Sequence, residues 1–309
     1  MITKPSLVWN METATAGTLD IDLKYLASGI SWKSDYVLNL KKDVLDLTGW
    51  ITVNNNSGVA YKNADITCLA GEVNRAKEEH KYDNRRLYKS KSVMAMPMDD
   101  VAEESFSGYH IYKIPFRETI ANKQQKQISF IDKKEIAYIR YGVASNSNFN
   151  KIEQKLTFTN TIQFKNTKEN NLGIALPTGV VRMYQKDSSN ETHFIGEQRV
   201  HNIPEDENVT LAIGTLFDAV GERTITKHVV KEEGYLNDET TYNIRNQGKE
   251  PLVLKIKEVI PTRGKHISVK TSCKDNCSVK KKNAFIREFT IKLKAKEKYL
   301  FTSEFEVTY

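Results

Sequence analysis

Alternation of apolar and polar residues with a period of two recurs along most of this chain. It is clear in Thr18–Tyr25, Lys155–Phe164 and Phe289–Lys296, where alternate residues are mainly apolar. Successive side chains of a β-strand point to opposite faces of a sheet, so the pattern is typical of strands with one face on a core and the other in water. Apolar spacings of three and four residues, which would indicate long helices, are hard to find. The sequence therefore predicts an all-β fold of antiparallel β-sandwich domains.

Turn-forming residues separate these strands, and one long region breaks the alternation. Asn54–Gly58 and Asp187–Asn190 are rich in Asn, Asp, Ser and Gly and predict hairpin loops. Residues 74–104 predict an irregular excursion, because 74–91 is highly charged and holds few apolar residues. The carboxylates in its last part lack the glycine and the alternating oxygen ligands of an EF-hand, so we interpret them as a solvated acidic loop: Asp99, Asp100, Glu103 and Glu104.

The length of 309 residues is enough for two domains, each with its own core. Turn residues between 217 and 223 place the predicted boundary near residue 220. We expect residues 1–220 to form an N-terminal β-sandwich region that contains the irregular excursion, and residues 221–309 to form a C-terminal immunoglobulin-like β-sandwich. The C-terminal strands are predicted at Thr224–Val230, Thr240–Arg245, Leu252–Ile260, His266–Thr271, Ala284–Leu293 and Tyr299–Thr308.

Positive charge is concentrated at the C-terminal end of the chain. The formal net charge is +7, and residues 251–309 alone hold fourteen Lys or Arg and six Asp or Glu, a net +8. Alternation turns several lysines outward on one sheet face, which predicts a basic binding face: Lys255, Lys257, Lys292, Lys294 and Lys296. Such a face attracts an acidic partner. Solvated lysines on strands also discourage sheets from aggregating, and the sequence leaves this alternative open.

The three cysteines fall into two groups. Cys273 and Cys277 are close together in a polar, turn-like stretch, which predicts a disulfide that closes a small loop and indicates an oxidising compartment. Two free surface thiols are the alternative. Cys68 lies between apolar residues and predicts a small core residue in a strand.

The sequence contains no motif that would assign a reaction, a cofactor or a metal. It has no Gly-x-Ser-x-Gly sequence and no phosphate-binding glycine loop, and no histidine spacing matches a known metal-binding motif. We therefore predict no catalytic, cofactor-binding or metal-binding residues. No nucleic-acid partner is expected, because no RNA-binding motif, zinc finger or helix-turn-helix accompanies the lysines. No run of about 18 apolar residues predicts a transmembrane segment.

Several short segments together resemble the bacterial domain-of-unknown-function 4139 family, which is related to mucoidy-inhibitor-like proteins. The resemblance covers nearly the whole chain and is carried by Leu23–Trp32, Asp35-Tyr36, Gly49-Trp50, Tyr61–Ala64, Leu69–Asn74, Pro177–Tyr184, Phe194–Glu197 and Ile213–Asp218. Members commonly carry a signal peptide and an additional N-terminal segment. The resemblance therefore implies an exported protein that here lacks its leader and that segment, and it implies a periplasmic or cell-surface location. It implies no activity, cofactor or active site.

These observations lead to three hypotheses about function. The first is a non-enzymatic cell-envelope protein that binds or scaffolds another envelope protein or an acidic surface polymer. The second is a hydrolase of cell-wall or surface glycans, which would require a groove holding two facing carboxylates. The third is assembly of copies by addition of a strand at an open sheet edge. The sequence does not determine the oligomeric state.

Overall fold

The computed structural model of the protein describes residues 20–71, 102–106, 108–146, 152–231, 234–260 and 266–308, together with residues 10, 12, 14, 17 and 18. These residues form strands and one short 3₁₀ helix at Lys168–Asn170. The prediction of an all-β fold is confirmed. Almost all strand pairs are antiparallel, but β1 pairs with β11 and β8 pairs with β16 in parallel.

The strands are numbered in chain order. Those before residue 218 are β1 (Ile30–Leu40), β2 (Val44–Asn55), β3 (Tyr61–Ala64), β4 (Thr67–Ala70), β5 (Ala102–Phe106), β6 (Tyr109–Lys113), β7 (Glu118–Ile120), β8 (Gln124–Ser145), β9 (Glu153–Leu156), β10 (Thr159–Lys165), β11 (Gly179–Lys186), β12 (Thr192–Val200) and β13 (Asn208–Thr215). Those after it are β14 (Ala219–Lys231), β15 (Tyr235–Asn246), β16 (Leu252–Val259), β17 (His266–Thr271), β18 (Cys277–Lys281), β19 (Ile286–Leu293) and β20 (Lys298–Thr308).

The N-terminal sandwich packs a sheet in the order β12-β11-β1-β2-β8 against β10 and β13. Tyr36 and Leu38 on β1 point inward and share one core with Ile162 and Phe164 on β10 and with Leu211 on β13. Two smaller sheets, β4-β6-β5 and β3-β7, add further side chains to the same core. The alternating pattern of β1 and β2 thus buries one face, as the sequence predicts.

The longest strand, β8, belongs to both sandwiches. Its first half pairs with β2, and its second half pairs with β10 and, over residues 142–145, with β16. The strand kinks at Glu135, which has a positive φ of 58° and whose backbone N–H donates to Asp46 Oδ1 at 3.1 Å. Gly142 lies where three strands meet, and a Cβ there would lie 2.6 Å from Leu216 Cδ1 and 2.7 Å from Leu254 Cδ2. Glycine therefore permits the close approach of β16 to β8.

The C-terminal sandwich packs the sheet β17-β20-β15-β14-β9 against β18, β19, β16 and the end of β8. Its core is aromatic: the rings of Tyr242 and Phe301 stack with centroids 4.8 Å apart, and Phe289 lies 4.9 Å from Phe301. The core also includes Leu156 and Phe158, which precede residue 220. The boundary near residue 220 and the immunoglobulin-like unit after it stay predictions, and the second core draws on residues from both sides of that boundary.

All six predicted C-terminal strands correspond to strands of the structure, which also contains β18, a strand that is not among those predicted from the sequence. The hairpin at Asp187–Asn190 is confirmed, since it joins the antiparallel pair β11 and β12. The prediction of a hairpin at Asn54–Gly58 is wrong, because the strands on either side of it do not pair with each other. β2 pairs with β1 and β8, whereas β3 pairs with β7. The side chain of Asn55 explains the difference: its amide donates to the carbonyls of Val59, Ile120 and Ala121 and ties the loop to another part of the chain.

Two further expectations need correction. Residues 20–25 of the predicted strand Thr18–Tyr25 are described, and they form no strand. Most of the predicted excursion at 74–104 lies outside the described residues, including Asp99 and Asp100. The prediction is wrong for residues 102–104, because they belong to β5, which pairs with β6. Glu104 is not a free acidic residue there, since Lys113 Nζ lies 2.7 Å from its Oε2.

Candidate functional site

A concave surface on the outer side of the sheet that joins the two sandwiches is lined by lysines. We call it the lysine groove; it encloses about 490 Å³. Its cationic side chains come from Lys255 and Lys257 on β16 and from Lys282, which follows β18. Tyr141 and Glu288 also line it, and its floor consists of neutral side chains: Val143, Thr159, Thr161, Gln163, Gln198, Thr210 and Ala212.

The alternating pattern of β16 places its two lysines in the groove. Leu254 and Ile256 are fully buried against the C-terminal core, so the residues between and after them point to the opposite face. Parallel pairing sets Lys255 beside Val143 of β8. Because β10 and β13 continue the same sheet beyond β8, their threonines and Gln163 extend this outer face, and Gln198 of β12 completes the groove floor.

Lys255 lies against an aromatic ring. Its Nζ is 3.7 Å from the centroid of the Tyr141 ring, which is within the range of a cation–π interaction. Burial lowers the pKa of Lys255, although the negative charge of Glu288 acts in the opposite direction. Burial likewise raises the pKa of Tyr141. The ring thus holds a partly desolvated ammonium group at the groove surface.

The groove carries an excess of positive charge. Lys282 Nζ lies 2.9 Å from Glu288 Oε1, which neutralises one cation. Within the described ranges of the chain, Lys255 and Lys257 have no carboxylate at ion-pair distance. The groove lining therefore offers two lysines that no described carboxylate pairs with, beside neutral hydrogen-bonding side chains.

The five lysines predicted as one basic face are divided by the structure. Lys255 and Lys257 line the groove, whereas Lys292 is exposed near the end of β19 and Lys294 follows that strand. Lys296 lies in the turn before β20 with a positive φ of 60°, and its Nζ donates to the backbone carbonyl of Gln247. The strand alternation that predicted a continuous face ends at Leu293, where the chain turns.

Sequence reasoning missed Tyr141, Lys282 and the neutral floor of the groove. Lys282 was missed because β18 was not predicted. The threonines of β10 are visible as the polar half of the alternation in Thr159–Lys165. The pairing that brings them beside β16, across β8, leaves no signal in a single sequence.

The structure joins Cys273 and Cys277 in a disulfide, with their Cα atoms 5.2 Å apart. The bond lies where the chain crosses from β17 in one sheet to β18 in the other. Cys68 is buried on β4, and burial raises its pKa to about 12. At neutral pH Cys68 is therefore a thiol, which is a poor nucleophile.

A buried carboxylate lies inside the C-terminal sandwich. Glu258 is 1% exposed and accepts hydrogen bonds from Tyr242 Oη at 2.8 Å and Ser303 Oγ at 2.7 Å. Burial raises its pKa, and the nearby charges of Arg223 and Arg287 oppose that shift. Glu258 does not line the lysine groove, where the lining contains one carboxylate, that of Glu288. Among the described residues, the groove lining shows no second carboxylate facing Glu288, as a pair for glycan hydrolysis would require.

One exposed cluster has the atoms to hold a cation. Ligand atoms of Asp187, Glu191 and His193 lie within 4.8 Å of one another at the hairpin between β11 and β12. The same groups already stabilise the turn, because Asp187 Oδ1 accepts the backbone N–H groups of Ser189 and Glu191 and its Oδ2 lies 2.8 Å from His193 Nε2. Hydrogen bonding to His193 lowers the pKa of Asp187. These contacts account for the cluster as part of the hairpin.

Comparisons with known proteins identify a family but no activity. In the part of the chain that the structure describes, no helix is sufficiently long and apolar to cross a membrane. No curated protein matches the chain. The model of one family, described as "Domain of unknown function (DUF4139)", matches residues 21–309, which include both sandwiches and the lysine groove. The chain therefore belongs to the DUF4139 family.

Proposed function

We propose that this chain is a non-enzymatic binding protein of the cell envelope, and that its lysine groove holds an acidic surface polymer such as a glycan with carboxylate groups. The observation that carries the proposal is the pair Lys255 and Lys257, which line the groove without a carboxylate partner in the described ranges. A desolvated ammonium group gains most from an anion that enters the same space. The disulfide between Cys273 and Cys277 supports the envelope as the compartment, because disulfides persist in oxidising surroundings.

The neutral floor favours a glycan over a simple anion. Thr159 presents a hydroxyl group and Gln163 an amide that donates and accepts hydrogen bonds. The amide oxygen of Gln198 accepts the N–H of Ala212, which leaves its NH2 group as a donor. A sugar acid offers hydroxyl groups to such a floor and a carboxylate to the lysines above it. Polar groups in fixed positions within a concave surface are the usual means by which a binding site orients its ligand.

Isothermal titration calorimetry with polygalacturonate, a linear polymer of sugar acids, tests the proposal, and neutral dextran is the control ligand. We expect the protein to bind polygalacturonate and not dextran. Binding should be weaker at about 300 mM salt than at about 50 mM salt because salt screens charges. Replacing both lysines, Lys255→Gln with Lys257→Gln, should weaken binding about tenfold or more, since a charged hydrogen bond contributes about 1.5–3 kcal/mol.

A matched variant separates the groove from general basicity. Lys292→Gln with Lys294→Gln removes the same charge from the same sandwich outside the groove, and we expect less than about a threefold loss of affinity. Equal losses in the two variants, or no binding of polygalacturonate, would overturn the groove proposal. Release of new reducing ends during the titration would support the hydrolase instead.

A further inference from the structure

A short exposed segment before β1 has the sequence of a strand but no neighbouring strand. In residues 20–26, which we call the donor segment, Ile21, Leu23 and Tyr25 alternate with Asp22 and Lys24. These three apolar side chains are 55%, 45% and 61% exposed, and no strand of the described chain pairs with them. Water-exposed apolar residues in alternation are the feature by which an extended segment docks onto a sheet edge.

The strand β18 offers such an edge. It is the last strand of the largest sheet and hydrogen-bonds only to β19 among the described strands. Val279 on β18 is 43% exposed, and Phe285, in the turn that follows, is 39% exposed. Lys280 and Lys281 are exposed beside them, so this edge combines uncovered apolar surface with positive charge.

We propose that the donor segment of one copy of this chain adds to the β18 edge of a second copy as an antiparallel strand. The five residues Ile21–Tyr25 match the five residues of β18. The antiparallel register that sets Leu23 opposite Val279 also sets Asp22 opposite Lys280. Opposite charges and apolar pairs across neighbouring strands each stabilise a sheet.

The opposite strand direction is less favourable. A parallel arrangement that keeps Leu23 beside Val279 would set Lys24 beside Lys280, and two like charges across neighbouring strands are destabilising. Charge complementarity thus selects the antiparallel register.

The edge that receives the donor segment must belong to another copy. Gly29 is held beside β2, because its carbonyl accepts the N–H of Asn56 at 2.6 Å. Ile30, the residue after Gly29, lies level with Gln124 of β8 through Asn55, whereas Val279 lies level with Ala144 of β8 through Phe289 and Ile256. The stretch of β8 between these two levels is roughly 66 Å of extended strand. The four residues from Tyr25 to Gly29 span at most about 14 Å. The donor segment therefore cannot reach β18 of its own chain, and reciprocal exchange between two copies gives a closed dimer.

Disulfide trapping between two singly substituted chains tests the register. A chain with Asp22→Cys is mixed with a chain with Lys280→Cys under mild oxidation, and the product is identified by non-reducing electrophoresis and peptide mass spectrometry. We expect a heterodimer linked between positions 22 and 280. The control mixes Lys24→Cys with Lys280→Cys, the pair that only the parallel arrangement brings together. Equal trapping in the two mixtures would refute the proposed register.

Sedimentation equilibrium of the full chain tests the energetics. Leu23→Asp should weaken dimerisation about tenfold or more, because burial of a leucine side chain contributes about 1.5–3 kcal/mol. Asp22→Lys should weaken it less, and combination with Lys280→Asp should restore it. The donor segment is exposed in the single chain, so Leu23→Asp and Asp22→Lys should leave the circular dichroism spectrum unchanged. A wild-type chain that stays monomeric at all concentrations up to about 100 μM, where a weak complex would form, overturns the proposal.

Discussion

The two sandwiches bury polar groups in different ways. In the N-terminal sandwich, the hydroxyl of Tyr36 is 1% exposed and donates to the backbone carbonyl of Pro177 at 2.7 Å, so a neutral donor meets a neutral acceptor. In the C-terminal sandwich, the carboxylate of Glu258 accepts from Tyr242 and Ser303. The N-terminal sandwich also buries a carboxylate, that of Asp35, but pairs it with the cations of Lys33 and Arg182. The carboxylate of Glu258 lies between two sheets, and its hydrogen-bond donors are neutral hydroxyl groups.

These two kinds of buried polar contact contribute to stability in different ways. A neutral hydrogen bond contributes about 0.5–1.5 kcal/mol and does not depend on pH near neutrality. A buried carboxylate must be solvated by its protein neighbours, and removing one member of such a group leaves the others without partners. Arg223 and Arg287 are both nearly buried and act electrostatically on Glu258, so they belong to the same group. We therefore expect the C-terminal interior to be the more sensitive to single substitutions.

Glu258→Ala should cause the largest loss of stability among the substitutions that compare the two sandwiches. It removes the acceptor of Tyr242 and Ser303 and leaves the positive charges of Arg223 and Arg287 without their carboxylate. The free energy of unfolding should fall by about 3–5 kcal/mol. Urea denaturation followed by far-ultraviolet circular dichroism measures the loss.

The matched control for this variant is Glu258→Gln, which keeps the volume and an oxygen acceptor but removes the charge. We expect its loss at neutral pH to be smaller than that of Glu258→Ala, because the glutamine fills the same volume and its amide oxygen can still accept from one of the two hydroxyl groups. Both variants remove the negative charge that faces Arg223 and Arg287, so the difference between them measures the shape and the hydrogen bonds. If both variants lose the same free energy, the carboxylate itself holds the interior together and the hydrogen-bonded shape does not.

Gly142→Ala should cause the next largest loss of stability, and it tests whether the two sandwiches unfold together. The new Cβ would meet the ends of Leu216 and Leu254, and relieving that contact costs about 1–3 kcal/mol. Gly214→Ala on β13 is the control, because its Cβ would meet no atom within 4 Å.

The tryptophans of the described chain, Trp32 and Trp50, both lie in the N-terminal sandwich, on β1 and β2. The sequence has a third tryptophan, Trp9, so the experiment uses a chain with Trp9→Phe, whose fluorescence reports that sandwich alone, whereas circular dichroism reports both. Since β8 runs through both sandwiches, we expect Gly142→Ala to shift the two transitions together. If Gly142→Ala lowers the urea midpoint seen by circular dichroism but leaves the midpoint of the fluorescence transition unchanged, the two sandwiches unfold independently.

The sequence predicts the parts of this fold that depend on local alternation and misses those that depend on distant pairing. The sequence predicts that Lys255 and Lys257 face outward because they alternate with the apolar Leu254 and Ile256, and the structure buries these two apolar residues. Tyr141, more than a hundred residues away, was not predicted beside Lys255, because the parallel pairing of β8 with β16 has no local signal. In the donor segment the local signal is present and the pairing is missing. Its residues alternate as in a strand, but the described chain provides no strand beside it.

The smallest expected effect is a pH response of opposite sign in the two sandwiches. Burial raises the pKa of Glu258 above its ordinary 4.5, so above that pH the folded state holds this proton more tightly than the unfolded state, and stability falls as the pH rises through the folded pKa. For Asp46, burial alone would raise the pKa, but hydrogen bonds from the Glu135 backbone and Lys41 lower it below 3.8. Its stabilisation is present above 3.8 and is lost as the pH falls through the lowered value.

Hydrogen exchange of backbone amides at about pH 7, about pH 4 and about pH 3, corrected for intrinsic exchange rates, separates the two responses because it reports each sandwich by its own opening free energy. Between about pH 7 and about pH 4, amides of β15 and β16 should become better protected. Between about pH 4 and about pH 3, below the ordinary pKa of Asp46, amides around Glu135 on β8 should become less protected, by below about 1 kcal/mol because Asp46 is partly exposed. Glu258→Gln should abolish the first response and leave the second, and Asp46→Asn should do the reverse. A loss of protection in β15 and β16 over the first interval would mean that buried Glu258 stays ionised throughout, held by Arg223 and Arg287, and that its burial does not control the pH dependence of the C-terminal sandwich.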